Sequence, residues 1–303
     1  MYKPKQTIPS LVTSFNREGK VDLDGLIKNL AFQKEAGIEC VCVLGGTGEA
    51  ASLSRDERQQ IMKTVMRNHQ DLKIIFGALV GTIEDIKADI QIAKENDAQA
   101  VMVMVPPFVG PSQYDMEKYF KDLAQLDMPL IIFNSPKRSS FNMSLDLINT
   151  LSKNEKIIGI KESSGDIYFL QDIIKENKDN FEVLVGGDDL YLPSLVLGAT
   201  GGILASAAVI PEVLVALDEA VKEENYTVAR RLHYYVKELN DEMYKASHPA
   251  PLKYLLEYRG LPVGDCRPPF RPLREKYKHS LEKVLERIIE DLKLEVEFID
   301  LKV

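Results

Sequence analysis

Residues 157–166 read Ile157-Ile158-Gly159-Ile160-Lys161-Glu162-Ser163-Ser164-Gly165-Asp166. The apolar first half has the length and β-branched content of a buried strand, the polar second half reads as a turn, and Asp166 to Lys175 has helical spacing. A strand feeding a helix is the repeating unit of a parallel α/β sheet. The same unit recurs on both sides of this stretch. Strands are expected at Ile8 to Ser14, Val41 to Leu44, Ile74 to Gly77, Ala100 to Val105, Leu130 to Asn134, Ile157 to Lys161, Glu182 to Gly186 and Gly201 to Ala205. Helical spacing lies between them, as in Asp22 to Ala36, Ser54 to His69, Ile83 to Glu95 and Tyr114 to Leu126. Ser54 ahead of Arg55-Asp56-Glu57 has the capping-box pattern, and Ser144 precedes Leu145 to Leu151. An open doubly wound sheet has the same local pattern. Eight units within roughly 225 residues fit a closed (β/α)8 TIM barrel over residues 1–225 better. From residue 226 to 303 the alternation stops. Tyr226 to Ala246, Pro249 to Tyr258 and Leu281 to Leu294 then read as a C-terminal helical extension around the Pro-rich stretch Arg267 to Pro272.

Composition narrows the function. A net charge of -8 and a pI near 5.3 argue against nucleic-acid or anionic-membrane partners, which need a basic footprint. The opening MYKPKQTIPSLVTSF has no long apolar run behind its lysines, and no stretch reaches the roughly 18 apolar residues of a membrane span. The chain reads as a cytoplasmic protein. Cys40, Cys42 and Cys266 lack metal-ligand spacing and read as buried thiols. The four histidines, at 69, 233, 248 and 279, are scattered, so Asp188-Asp189 reads as a capping or hydrogen-bonding pair and no metal is expected.

In a parallel barrel, ligands bind where loops leave the C-terminal strand ends. Lys161 closes the run Ile157-Ile158-Gly159-Ile160, which aims an amine from a dry strand end into the barrel mouth. Desolvation there lowers an amine's pKa and frees it to attack a ketone. The plainer alternative is a structural ion pair. Gly45-Gly46-Thr47-Gly48 offers backbone N–H groups and a hydroxyl suited to a carboxylate, or is simply a tight turn. It lacks the spacing of a dinucleotide or P-loop motif, and no cofactor is expected. Arg138 has paired donors for a second carboxylate, although a surface salt bridge is the commoner fate of an arginine.

In order and spacing these elements resemble the family of dihydrodipicolinate synthase and N-acetylneuraminate lyase. The likeness is carried by Gly45-Gly46-Thr47-Gly48-Glu49, Pro106-Pro107-Phe108, Phe133-Asn134-Ser135-Pro136, the 158–166 motif, Gly186-Gly187-Asp188-Asp189 and Leu197-Gly198-Ala199-Thr200-Gly201-Gly202-Ile203, and it runs from Ile8 to about Pro272. It implies a class I aldolase-type lyase acting on pyruvate or another 2-oxo acid, commonly a homotetramer, with a dimer as the smaller possibility. Lys161 then matches the Schiff-base lysine. Thr47 matches the residue that binds the oxo-acid carboxylate, and Gly186 and Ile203 match backbone groups lining the pocket. Arg138 matches an arginine of the synthase branch that meets the second substrate's carboxylate.

The departures fall on the proton relay. Phe133 stands where the family has a tyrosine that shuttles protons, Gly46 replaces a hydroxyl residue, and Phe108 aligns with a tyrosine lent by a neighbouring subunit. Positioned acid–base groups are worth about 10²–10⁴-fold in rate. Water, the substrate's carboxylate, or a hydroxyl from Ser135, Ser139, Ser163 or Ser206 is left to replace them. Two readings follow: a lyase for a substrate that does not need the tyrosine, or a catalytically impaired paralogue that binds a 2-oxo acid as a sensor or partner subunit. Arg55, Arg58, Gly81 and Pro107 stand where contacts to a feedback-inhibiting lysine are expected, so no lysine inhibition is expected either.

Overall fold

The computed structural model describes residues 2–69, 71–107, 109–177 and 181–299. Eight parallel strands form one sheet: β1 (Gln6–Pro9), β2 (Cys40–Val43), β3 (Lys73–Ala78), β4 (Ala100–Met104), β5 (Leu130–Asn134), β6 (Ile157–Glu162), β7 (Glu182–Val185) and β8 (Gly201–Leu204). From β2 to β8 each strand pairs with its sequence neighbour, and β1 pairs with β8. The ring closes where Ser10 bridges Cys42 and the Leu11 N–H donates to the Cys42 carbonyl at 2.9 Å. This is a (β/α)8 barrel.

The expected strand Ile8 to Ser14 is displaced. The strand ends at Pro9, and Leu11 and Val12 are apolar because they pack, fully buried, in the core outside the barrel wall. Ser54 forms the anticipated capping box with Glu57, and Ser144 caps helix Leu145–Leu151. After the last barrel unit come helices Tyr226–Met243, Ala250–Tyr258 and Glu275–Leu292, the last starting six residues ahead of the expected Leu281. Cys40 and Cys42 are buried, whereas Cys266 is only partly so. Among the described residues no helix is long and apolar enough to cross a membrane.

Side chains alternate across a strand, and here the alternation sorts two cores. Val41, Val43, Val101, Val103, Leu130 and Ile132 face the surrounding helices. Cys40, Cys42, Met102, Met104, Ile131 and Phe133 fill the barrel, joined by Ile8, Ile75, Ile158, Leu184 and Ile203, so every strand contributes. β6 breaks the rule once. Ile157 faces outward, and strict alternation would turn Lys161 outward with it. A bulge intervenes: Leu130 pairs with Ile157 but the next residue, Ile131, pairs with Gly159, so β6 spends two residues against one. Beyond it Ile160 faces outward, and Lys161 lies opposite Phe133 and Leu184, both interior residues. Only glycine fits at 159, because a β-carbon there would lie 2.4 Å from the Glu182 carbonyl oxygen.

Candidate active site

A cavity of about 800 Å³ opens at the C-terminal ends of the strands, and all seven expected site residues, Gly46, Thr47, Phe133, Arg138, Lys161, Gly186 and Ile203, line it. Lys161 rises from the end of β6 and is 8% exposed. Its ammonium nitrogen lies 4.7 Å from the centroid of the Phe133 ring, and among the described residues it forms no ion pair. Burial lowers its pKa below the ordinary lysine value; Cys42 and Asp188 act in the opposite direction, and Arg138 adds to the lowering. The structural ion-pair alternative therefore finds no partner.

Gly186 is a glycine for a steric reason. A β-carbon there would fall 1.8 Å from Ser163 Oγ and 2.9 Å from Lys161 Cε. The serine and the lysine stem run directly over its backbone. Ser163 Oγ is buried without a hydrogen-bond partner. Two of the other hydroxyls considered from sequence are committed: Ser139 Oγ donates to the carbonyl oxygens of Ser135 and Phe141, and Ser206 Oγ binds Asp188. Ser135 lines the cavity.

Asp188 behaves as expected, as a hydrogen-bonding residue. Its buried carboxylate also accepts from the Ser206 N–H at 2.7 Å and the Ala205 N–H at 3.3 Å. Burial raises its pKa, and these hydrogen bonds oppose the rise.

Arg138 sits on the short helix Pro136–Ser139 and is exposed at the cavity mouth. Its guanidinium lies over the Gly46 turn, where a β-carbon on Gly46 would be 3.5 Å from Arg138 Cζ. The missing hydroxyl residue at 46 is thus space that the arginine covers. Phe108 lies outside the described residues.

Two residues escaped the sequence reading. His248 Nε2 lies 3.1 Å from Thr47 Oγ1. Its ring stacks on that of Tyr244, with centroids 5.5 Å apart and planes at 3°. Both follow from the chain after the last barrel unit, so the C-terminal region closes one wall of the cavity. Burial, with the cations Arg138 and Lys161, holds the imidazole down to about 4. No local pattern marked His248, because 201 positions separate it from Thr47.

Residues 3–288 match the Dihydrodipicolinate synthetase family. This chain belongs to that family. A 4-hydroxy-tetrahydrodipicolinate synthase of Methanospirillum hungatei is 34% identical over 283 residues, which cover 92% of this chain and 97% of the relative. The corresponding synthase of Methanothrix thermoacetophila is 31% identical over 92% and 95% of the two chains. Among solved structures, the dihydrodipicolinate synthase DapA-2 of Bacillus anthracis superposes with a TM-score of 0.91 at 28% identity, covering 94% of this chain and 99% of its own. YagE of Escherichia coli K12, a prophage protein of the dihydrodipicolinic acid synthase family solved in complex with pyruvate, gives 0.89 at 26% identity over 96% and 99%. Membership makes the chain a lyase-family protein, similar to relatives named as synthases, with phenylalanine at 133 where the resemblance expects tyrosine.

Proposed function

We propose that the chain is a class I lyase in which Lys161 captures pyruvate or a related 2-oxo acid as a Schiff base. The observation that carries this is the unpaired amine of Lys161, desolvated at the base of a cavity that also holds Thr47 and Arg138. Its lone pair attacks the ketone carbon to give a carbinolamine. Loss of water, with a proton moved onto the departing oxygen, leaves an iminium whose positive charge accepts the electron pair of an adjacent C–H or C–C bond. The Gly46–Thr47 turn receives the substrate carboxylate, and Arg138 at the mouth receives an anionic group of the acceptor. Gly186 and Ile203 close the pocket around the reacting carbons. The pyruvate bound to the related YagE supports the choice of ligand class.

Intact-mass spectrometry after borohydride reduction with pyruvate tests the reading. A pyruvate-sized adduct is expected, and it is absent from Lys161→Ala. No adduct with pyruvate or longer 2-oxo acids would refute the Schiff base. An adduct without turnover on any aldehyde or 2-oxo sugar would favour the binding paralogue, which the phenylalanine at 133 allows. Self-association as a dimer or tetramer, implied by the family resemblance, is read by light scattering.

A further inference from the structure

We propose that His248, acting through the Thr47 hydroxyl, holds and returns the proton that the chemistry at Lys161 moves. This rests on the Schiff-base reading above. The family resemblance places a phenol at 133 for that task, and this chain has none there. Among the described residues lining the cavity, the acid–base groups nearest the interior are otherwise engaged. Asp188 is bound to Ser206 and the Ala205 N–H. Glu162 accepts from the Asn134 side chain at 2.6 Å and from the Ser164 N–H. Asp189, Asp241, Lys137 and Lys245 are exposed at the rim. His248 is only partly exposed, lines the same cavity, and makes its side-chain hydrogen bond to Thr47, the residue in the carboxylate-binding turn. Stacking on Tyr244 fixes the plane of the ring.

The groups facing His248 decide its protonation. Arg138 from helix Pro136–Ser139 and Lys161 from β6 are cationic and disfavour imidazolium, as does burial. Thr47 offers a hydroxyl and Tyr244 a phenol, while Asp188 acts on Lys161 across the pocket. The imidazole is therefore neutral near pH 7, in the form that accepts a proton. A bound carboxylate offsets part of the cationic field and raises its basicity.

The step balances. In the iminium, the carbon beside C2 loses a proton to the Thr47 oxygen as the Thr47 hydroxyl proton passes to His248 Nε2. The C–H pair becomes the C2=C3 double bond, and the C=N π pair returns to the Lys161 nitrogen. A cationic iminium and a neutral imidazole become a neutral enamine and an imidazolium. Running the same path backwards delivers the proton to the product.

Exchange of the pyruvate methyl protons in D2O, followed by proton NMR, isolates this step without an acceptor substrate. His248→Gln keeps a hydrogen-bonding group for Thr47 but holds no proton. We expect it to retain the borohydride adduct within about threefold while exchange falls about 10²–10⁴-fold, the usual span for a general base. The acid limb of the wild-type exchange profile should disappear with it. Thr47→Ser keeps exchange and Thr47→Val loses it. The double variant H248Q/T47V falls no further than either single one, because two members of one relay are not additive. Exchange within threefold of wild type in His248→Gln, with an unchanged pH profile and adduct, overturns the role of His248 while leaving Lys161 standing. Loss of the adduct in His248→Gln assigns the histidine to binding or folding and overturns it as well. Absence of an adduct in the wild type removes the Lys161 reading and this inference together.

Discussion

Replacing Gly159 by alanine should show how far the direction of Lys161 depends on the bulge in β6. The new β-carbon would stand 2.4 Å from the Glu182 carbonyl oxygen, and ordinary contact begins at 3.4 Å, so β6 and β7 must separate by about 1 Å at this point. Gly159 and Glu182 are paired residues of the ladder, so the separation falls on its hydrogen bonds. Overpacking of a tight site costs about 1–3 kcal/mol, and a weakened ladder bond adds about 0.5–1.5 kcal/mol. For a chain of 303 residues, an unfolding entropy of about 2.1 cal/mol/K per residue makes each kcal/mol worth roughly 1.6 °C, so a fall in Tm of about 2–7 °C is expected. The functional effect should exceed the stability effect. If the bulge relaxes, alternation from Ile157 turns Lys161 toward the helices, and the borohydride adduct is lost in protein that is still folded at 25 °C. Calorimetry and intact-mass spectrometry on the same sample read both. A Tm within 1 °C of wild type together with a full adduct would refute the claim that the bulge sets the lysine's direction.

Three further outcomes are expected. Asp188→Asn preserves an acceptor for Ser206 but removes the negative charge that favours the Lys161 ammonium. The rate of adduct formation rises with pH as the amine loses its proton, so the rising limb should move to lower pH in the variant; an unmoved limb would show that the two groups do not couple. Arg267 grips Glu57 through two hydrogen bonds, of 2.6 and 2.8 Å, and this pairing pulls the carboxyl down to about 2. A depressed carboxyl contributes stability above its unfolded value of about 4.3 and loses it as pH falls toward the folded value. The Tm difference between wild type and Arg267→Ala should therefore narrow between about pH 4.5 and 2, and a constant difference would assign Arg267 to its contacts with Ser52, Gly19 and the Phe15 ring. Lysine should neither inhibit turnover nor raise the Tm, since Arg58 is buried against Asp89 at 3.0 Å and occupied by the Leu53 carbonyl; a thermal shift with millimolar lysine would contradict this.

The barrel was legible because its signals are local. Each strand is a short apolar run and each helix has its spacing, and capping residues such as Ser54 and Ser144 sit within one turn of what they cap. Leu11 and Val12 show the limit of that method: an apolar pair in a buried loop has the composition of a strand end. The inward aim of Lys161 was expected from its dry strand end, but its cause was hidden. Parity counted from Ile157 points the lysine the wrong way, and only the pairing of Ile131 with Gly159 corrects it. Gly159 was present in the sequence, yet a strand glycine is equally a close-packing residue, and here it is both. His248 was invisible for a different reason. Contacts between a turn after β2 and the chain beyond helix Tyr226–Met243 are set by tertiary packing, and neither partner carries a local mark of the other.

The departures from the family pattern are not independent in space. Gly46 has no side chain, and the guanidinium of Arg138 covers that position. The Phe133 ring lies beside the amine of Lys161 and makes that part of the lining apolar, and His248 reaches Thr47 from the C-terminal region. Returning a tyrosine to 133 alone would place a phenol near the lysine without the hydroxyl at 46 to pass its proton onward. Adding Gly46→Thr supplies that hydroxyl; its β-carbon would already be in contact with the Arg138 guanidinium at 3.5–3.8 Å, so we expect the atoms beyond it to crowd the arginine. On this expectation the phenol relay and this placement of Arg138 compete for one volume. A Phe133→Tyr, Gly46→Thr double substitution should restore methyl-proton exchange, which needs no acceptor, in a His248→Gln background only when Arg138 is also shortened, and a full gain with Arg138 intact would show that the arginine moves aside without cost.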